Sequence, residues 1–537
     1  MPVIESRISA GSEQAQANRA AHLALLTELR AIEDKLRADA EASRERFHKR
    51  GQLLPSERLS QLLDRGAPWL SLSPLAGYLD EAGAPSDSMA SSLLGLGYVS
   101  GVRCLVVAHN SAYKGGTTNP IGLDKYLRAQ EIALRNKLPV VILAESGGAN
   151  LLHQADIFVR GGRGFCNQAR LSAAGIPQIT VVHGSSTAGG AYLPGLSDYV
   201  IVVRGKTKIF LAGPPLLKAA TGEIATDEEL GGAEMHAMVS GTAEYLAEDD
   251  AEALRLAREI MAKLPWNSHA PADPPRVFRE PLYPAEDLLG LVPVDYRKPY
   301  DARELIARVV DGSDFLDFKP LYGAATVCGH AAIEGHPVGI LANNGPIDPA
   351  GSAKAAQFIQ LCCQSGTPLV YLQNTTGYLV GKEAESGGAI KHGSKMIQAV
   401  ANATVPQLTV IVGASFGAGN YGMCGRAYDP RFLFSWPNAR IAVMGGEQAA
   451  GVMATITEEK QRRTGTAGDP AALAALRQEI IRQFDRQSSA LYATSRLWDD
   501  GIIDPRDTRK VLGFCLSICR EAETRRLRPN TFGVGRM

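Results

Sequence analysis

The 537-residue sequence lacks an excess of either charge. Lys and Arg together number 56, as do Asp and Glu, for a formal net charge of zero. A protein that binds nucleic acid over a broad surface usually shows a basic surplus, so this balance argues against that class. The eight cysteines include no CxxC pair, which argues against a zinc ribbon and reads as free thiols in a reducing compartment. Neither HxxxH nor HExxH occurs, so no metal site is expected. No GxxxxGK[ST] loop occurs and no clean GxGxxG follows a first strand, which weakens a nucleotide-binding reading. No apolar run approaches the roughly 20 residues a bilayer span needs. The opening MPVIESRISAGSEQ has no basic-then-apolar signal design. The expectation is a soluble, cytoplasmic protein with neither nucleic acid nor membrane as partner.

Hydrophobic residues make up 45% of the chain, enough for two conventional cores. Residues 14–48 carry apolar side chains at helical spacing and predict one long exposed helix ending near Gly51. LPSERLSQLLD follows as a second helix with Ser56 as its cap. Seven prolines between 265 and 293 stiffen the chain and mark a domain boundary. The expected organisation is an N-terminal helical segment (1–50), then domains at 51–275 and 276–537.

The two halves repeat. PVVILAESGGA (139–149) parallels PLVYLQNTTGY (368–378), and GIPQITVVHGSSTAGGAY (175–192) parallels TVPQLTVIVGASFGAGNY (404–421). Pro139 and Pro368, Pro177 and Pro406, and Gly184 and Gly413 are each 229 apart. KIFLAGPP (208–215) pairs with RIAVMGGE (440–447) after a short slip. One offset held over about 50 residues points to duplication. Short β-branched runs alternate with helical stretches such as CNQARLSAAG and SKMIQAVANA, which predicts α/β halves with mostly parallel sheets. A strand that ends in small residues and enters a helix leaves main-chain N–H groups facing outward, suited to a negative oxygen. Ala188, Gly189 and Gly190 in one half, and Phe416, Gly417, Ala418 and Gly419 in the other, are the candidate oxyanion donors.

Longer stretches carry a family likeness: KRGQLLPSERLSQLLD, AYKGGTTNP, GGAYLPGLSDY, IFLAGPPLLKAATGE, DYRKPYDARELIARVVDGSDFLDFK, NNGPIDPAGSAKAAQFIQLC, GASFGAGNYGMCGRAYDPRFLFSWPNARIAVMGGEQAAGVM and WDDGIIDPRDTRKVLG. From about residue 20 to 530 the chain resembles the carboxyltransferase (β) subunit of biotin-dependent acyl-CoA carboxylases. The resemblance implies two tandem crotonase-like (ClpP/crotonase) ββα-superhelix domains, the first gripping CoA and the second biotin. It implies transfer of CO2 from carboxybiotin, carried by a separate biotinylated α subunit, to a carbon made acidic by a CoA thioester. It also implies a homo-hexamer of this chain within an α6β6 complex, and no metal. Neither a Met-Lys biotin-attachment motif nor an ATP-binding pattern is present, in keeping with that division of labour. Two oxyanions then need holes, the thioester enolate and the biotin ureido oxygen, which accounts for two turns if domains of neighbouring subunits face each other. Gly115 and Gly116, and Gly445 and Gly446, are additional candidate donors. Lys114, Gly147, Gly148, Ala149 and Tyr192 are candidates for the CoA side, and Lys125 a second lysine for CoA phosphates.

NYGMCGRAYDPRFLFSWPNARIAVMGGEQAA resembles the 3-methylcrotonyl-CoA and geranyl-CoA branch of the family. Its 3-methylcrotonyl members are expected to carry bulky residues, of the form FGRIF, before NQA. Here the stretch reads RGGRGFCNQA, with Gly161, Gly162 and Gly164. Missing side chains near the acyl end make room for an isoprenoid tail, so geranyl-CoA is the favoured substrate. The alternative is the 3-methylcrotonyl-CoA enzyme of leucine catabolism. More distant readings are a crotonase-type hydratase or isomerase, a decarboxylase subunit working with membrane partners, and a non-catalytic scaffold. His109, His153 and His183 are read as packing or surface residues, Cys362 and Cys363 as core, and 227–236 as a surface loop.

Overall fold

The computed structural model describes residues 3–9, 11–86, 89–270, 276–464 and 469–535. The chain divides into two compact units. One, the N-half unit, comprises Ala31–Asp80, Pro85–Asp273 and Arg520–Met537; the other, the C-half unit, comprises Met1–Arg30, Glu81–Ala84 and Pro274–Cys519.

The N-half unit is built on an eight-stranded sheet: β1 (Leu70–Ser71), β2 (Ser92–Val99), β3 (Val102–His109), β4 (Val140–Ser146), β5 (Gln178–Thr187), β6 (Tyr199–Val203), β7 (Lys208–Phe210) and β8 (Tyr245–Ala247). The order is β1-β2-β3-β4-β5-β6-β8, with β7 also paired to β5. β2 and β3 form a hairpin because Ser100 and Gly101 both take positive φ, +51° and +75°, which matches a tight two-residue turn to the strand twist. From β3 onward the pairings are parallel. The long helices Pro120–Arg135 and Gln154–Ala173 therefore serve as crossovers, and β4 and β5 are buried along most of their length.

The C-half unit repeats this plan with β9 (Leu316–Asp317), β10 (Thr326–Ile333), β11 (His336–Asn343), β12 (Leu369–Thr375), β13 (Gln407–Phe416), β14 (Phe432–Ser435) and β15 (Arg440–Ala442). The order is β14-β13-β12-β11-β10-β9, with β15 also on β13. Glu334 and Gly335 make the same two-residue turn, at φ +47° and +76°. All ten residues of β13 are buried. Cys328, Leu341, Phe358, Cys362, Tyr371, Met396 and Met423 form one apolar cluster, and the Tyr371 hydroxyl donates to Gln407 Oε1 at 2.8 Å.

The duplication extends to single hydrogen bonds. β4 and β12, and β5 and β13, begin 229 residues apart (369 − 140 and 407 − 178). The β4–β5 register slips between Ala144 and Ser146, and the β12–β13 register slips between Gln373 and Thr375, the same two positions. The offset also holds upstream of the stretch legible in the sequence. Asn119 Oδ1 accepts from Gly122 N (2.8 Å) and Asp348 Oδ1 from Gly351 N (2.5 Å), each capping a helix whose first residue is proline.

Several local expectations are corrected. The predicted helix over 14–48 is two helices, Glu13–Glu41 and Arg44–Lys49, and it is not fully exposed: His22, Leu26 and Leu29 are buried. Ser56 does not cap the next helix. Pro55 occupies its first position and the Leu54 N–H donates to Glu57 Oε2 at 2.8 Å, so a carboxylate in the first turn does that work. Residues 227–236 are not a loop but two short helices, Asp227–Gly231 and Ala233–Met238, the first started by a reciprocal Thr226–Glu229 cap. Among the described residues no helix is long and apolar enough to cross a membrane.

Candidate functional site

In the N-half unit β5 runs to Thr187 and Ala188 turns the chain at φ +54°, opening the 3₁₀ segment Ala188–Ala191. The first N–H groups of such a segment have no acceptor within it. Gly189 is exposed and Gly190 half-buried, while the Ser186 hydroxyl donates to Gly190 O at 2.9 Å and fixes the turn from beneath. A second turn lies against the first. The Ser146 hydroxyl donates to Gly116 O (2.7 Å) and receives Gly148 N (3.1 Å), Gly147 N donates to Gly115 O (3.2 Å), and Thr118 N donates to Gly148 O (2.9 Å). Lys114, Gly115 and Gly116 all have positive φ. A Cβ at Gly116 would fall 2.3 Å from Glu145 O, so only glycine permits this approach. Gly147 and Ala149 are exposed beside it, and a Cβ at Gly148 would lie 3.1 Å from Thr187 O. The structure thus gathers residues 114–116, 147–149 and 188–190 at one end of the sheet, where parallel strands leave a crevice at their carboxyl ends.

The helix Gln154–Ala173 passes this corner. Phe165 stacks on Tyr192 with ring centroids 5.6 Å apart, and a Cβ at Gly189 would lie 3.9 Å from Phe165 Cζ. Gly161, one turn earlier, has only Ile157 near its missing side chain, at 3.9 Å. Gly162 is open, and Gly164 abuts the Tyr126 ring at 3.5 Å. Leu151, Leu152, Phe158 and Val159 are each at least 80% exposed on the same flank. Lys125 is not part of this surface. It is 1% exposed and donates to Ser92 O at 2.8 Å, and burial lowers its pKa to about 7. Its 229-residue counterpart, Lys354, is buried in the same way and donates to Tyr322 O at 3.1 Å.

The C-half unit presents the matching corner. Gly417 follows β13 at φ +54°, and the helical turn Gly417–Gly422 starts there. Ala418 is exposed, and a Cβ at Gly419 would fall 2.8 Å from Gly377 Cα. Thr375 takes the part of Ser146: its hydroxyl donates to Gly345 O (3.3 Å) and receives Gly377 N (3.2 Å). Gly445 lies beside the turn, its missing Cβ 2.8 Å from Tyr296 Oη and 3.8 Å from the Phe416 ring; the Tyr296 and Phe416 rings meet edge-on at 5.0 Å. Gly446 starts the helix Gly446–Thr464 and its Cα faces Asp485 and Phe484. Tyr421 is 44% exposed and stacks on Tyr428 at 5.7 Å.

Sequence reasoning missed a buried charge cluster under the N-half corner. Arg58 Nη1 donates to Glu145 Oε2 at 2.5 Å and Arg58 Nε to Asp250 Oδ2 at 2.9 Å. His183 Nδ1 pairs with Asp250 Oδ1 at 2.7 Å. Burial and the Arg58 charge lower the His183 pKa. Burial works against the Asp250 carboxylate, but the charge attraction and hydrogen bond of His183, with the Arg58 charge, override it and hold the group at about 2. Burial also lowers His109 to about 4, its Nδ1 lying 3.4 Å from Glu145 N. Nothing in the local sequence signals this cluster, because its members lie at 58, 145, 183 and 250.

Residues 46–532 match the carboxyl transferase domain family. The chain is similar to the crystal structure of the P. aeruginosa geranyl-CoA carboxylase β subunit, at 61% identity over 100% of both chains and a TM-score of 0.94. It is 53% identical to a probable biotin-dependent acyl-coenzyme A carboxylase β2 subunit of Mycobacterium tuberculosis, over 92% of each chain. It is 48% identical to a probable mitochondrial methylcrotonoyl-CoA carboxylase β chain of Drosophila melanogaster, over 100% of this chain and 95% of the relative. Two duplicated crotonase-like halves, two matched glycine corners and these likenesses together place the chain in the carboxyl transferase family, as the carboxyltransferase component of a biotin-dependent acyl-CoA carboxylase.

Proposed function

We propose that this chain carboxylates the γ-carbon of a β-methyl-enoyl-CoA, with geranyl-CoA as its substrate. The observation that carries the choice is the open space at Gly161, one helical turn from the Phe165 ring beside Gly189. A benzyl or sec-butyl side chain at 161 would occupy that space, and its absence leaves room for an isoprenoid tail. The 61% identity to a geranyl-CoA carboxylase β subunit supports the same choice. The relatives named for methylcrotonoyl-CoA keep that shorter ester as the second reading.

The Gly189 and Gly190 amides of the N-half corner would bind the thioester oxygen as enolisation places negative charge on it. Ala418 and Gly419 at the C-half corner fit a ureido oxygen, since main-chain N–H donors suit a neutral carbonyl that gains charge. When held at the C-half corner, carboxybiotin on a partner α subunit would supply the CO2 and a basic ureido nitrogen. No side-chain base is needed in that scheme, and this chain's part is to orient, to donate hydrogen bonds and to exclude water. A homo-hexamer with α partners would also cover the exposed apolar flank at Leu151, Leu152, Phe158 and Val159, and its C-half counterpart at Val380, 82% exposed.

The test is to mix this chain with its biotin-bearing partner, ATP and bicarbonate and offer a panel of acyl-CoAs. Carboxylation of geranyl-CoA is expected. Good turnover of 3-methylcrotonyl-CoA with none of geranyl-CoA would remove the substrate assignment.

A further inference from the structure

The register slip between β4 and β5 leaves Glu145 opposite three residues, His183, Gly184 and Ser185. Such bulges re-aim the strand that carries them. Here β5 leads directly into Ala188, so the shape of the bulge sets the direction of the Gly189 and Gly190 amides. The Glu145 side chain fills the bulge: a Cβ at Gly184 would fall 2.8 Å from Glu145 Oε1 and 2.9 Å from its Cγ. The carboxylate is gripped from several sides. Arg58 and the Ser111 hydroxyl (2.8 Å) donate to Oε2, and Gln52 Nε2 donates to Oε1 (3.2 Å) and to His183 O (2.8 Å). Asp250 in turn holds Arg58 and His183, and accepts from Leu53 N at 2.8 Å.

The C-half bulge solves the same problem without charge. Asn374 stands where Glu145 does, 229 residues on, and its Oδ1 accepts from Ala414 N at 2.8 Å. A Cβ at Gly413 would fall 2.4 Å from that oxygen. Val412 replaces His183. The C-half bulge is thus held by an amide that accepts a main-chain N–H, whereas the N-half bulge is held by a carboxylate within a buried ion cluster assembled from residues 52–58 and the helix Asp250–Lys263.

We propose that Glu145 is a positioning residue of the N-half corner, its carboxylate clamped by Arg58 so that the β5 bulge aims the Gly189 and Gly190 amides. This rests on the reading that those amides serve the acyl-CoA thioester. The clamp acts through the bulge and touches no reacting atom. It costs the fold a buried charge cluster, which a neutral side chain would avoid, and what it gives in return is a fixed corner.

Glu145→Gln, an isosteric change toward the C-half solution, tests it in the assembled holoenzyme. The expected result is a carboxylation kcat at least tenfold lower with acyl-CoA KM within twofold of the parent. Amide hydrogen exchange should speed up in the peptide covering 184–192 and stay unchanged in 413–421. Ser111→Ala, which removes one donor and leaves the ion pair, should shift both readouts the same way by a smaller factor. A kcat within twofold of the parent, a loss carried by KM, or faster exchange spread evenly over both halves would overturn the proposal. If the parent enzyme carboxylates no acyl-CoA, the proposed function fails by itself, and the exchange comparison alone decides the role of Glu145.

Discussion

Ala188 and Gly417, 229 positions apart, leave their strands at the same backbone angle, φ +54°. An L-residue in that region costs roughly 1–2 kcal/mol, so the alanine shows that the angle itself is maintained. The angle turns the next two amides out of the sheet. Gly417→Val should be far worse than an alanine, because a β-branched side chain resists positive φ and its Cβ would meet Val443 O at 3.1 Å. Gly419→Ala pushes against Gly377 without touching φ. For both variants we expect carboxylation to fall by about 10²–10³, the scale of losing an oxyanion donor, with assembly onto the biotin-bearing partner intact. Steady-state rates and gel filtration of the complex check this. Lost assembly would point to a scaffold role for the corner.

Gly161→Phe should discriminate between substrates. The new ring would stand one turn from Phe165 and fill the space now bounded by Ile157. We expect kcat/KM for geranyl-CoA to drop by about 100-fold, the discrimination an occupied apolar pocket can reach. The value for 3-methylcrotonyl-CoA should change by less than about fivefold on the same grounds. Gly162→Ala, in the same helix with open surroundings, is the control, since it adds helix propensity and nothing else. Equal losses for both esters would locate the acyl tail elsewhere.

Lys125 yields a prediction whose sign changes with pH. Its folded pKa, near 7, lies below the unfolded value of about 10.4, so the unfolded state binds more protons between those limits and stability rises with pH. Lys125→Met removes that slope. At pH 6, where the buried charge costs a few kcal/mol, the variant should be more stable than the parent. Above about pH 10.4, where neither state holds the proton, it should be less stable by about 1 kcal/mol, because Ser92 O loses its donor. Thermal midpoints across this range should cross. Parallel curves would mean the amine reaches water.

What the sequence disclosed was the part of the duplication written in similar letters. From Pro139 to Tyr192 the counterparts share prolines, glycines and β-branched runs, so the sheets and the two corners were legible. Upstream, Lys114-Gly-Gly-Thr-Thr-Asn-Pro corresponds to Asn343-Asn-Gly-Pro-Ile-Asp-Pro, and the hydrogen bonds made by Ser146 and Thr375, with the Asn119 and Asp348 caps, show these stretches to be equivalent. The burial of Lys125 and Lys354 was hidden because a lysine in a helix reads as solvated until the strand above it is placed. The Arg58–Glu145–Asp250–His183 cluster was hidden because its members come from four distant segments, and the break after Glu41 because Ala42 and Ser43 carry no strong stop signal.

Asp499 yields the opposite pH dependence. Its side chain is fully buried, and burial together with the neighbouring Asp500 carboxylate raises its pKa to about 6 against the pull of Thr494, Ser435 and Arg426. The folded state then binds more protons than the unfolded state between about pH 4 and 6, so stability falls as pH rises through that window and stays reduced above it. The gap between the unfolded value and about 6 corresponds to roughly 3 kcal/mol at neutral pH. Asp499→Asn keeps the oxygen that accepts Gly501 N at 3.0 Å and replaces the charge with an amide that can donate to the Ser435 or Thr494 hydroxyl. The variant should melt higher than the parent at pH 7.5, by roughly 5 °C, and the two should converge below about pH 4. The ion pair of Arg426 with Asp500, at 2.8 Å, survives the change, so any gain comes from the one carboxylate removed. A lower midpoint for Asp499→Asn at pH 7.5 would mean that the ionised form is paired in the native state and that its charge stabilises the unit.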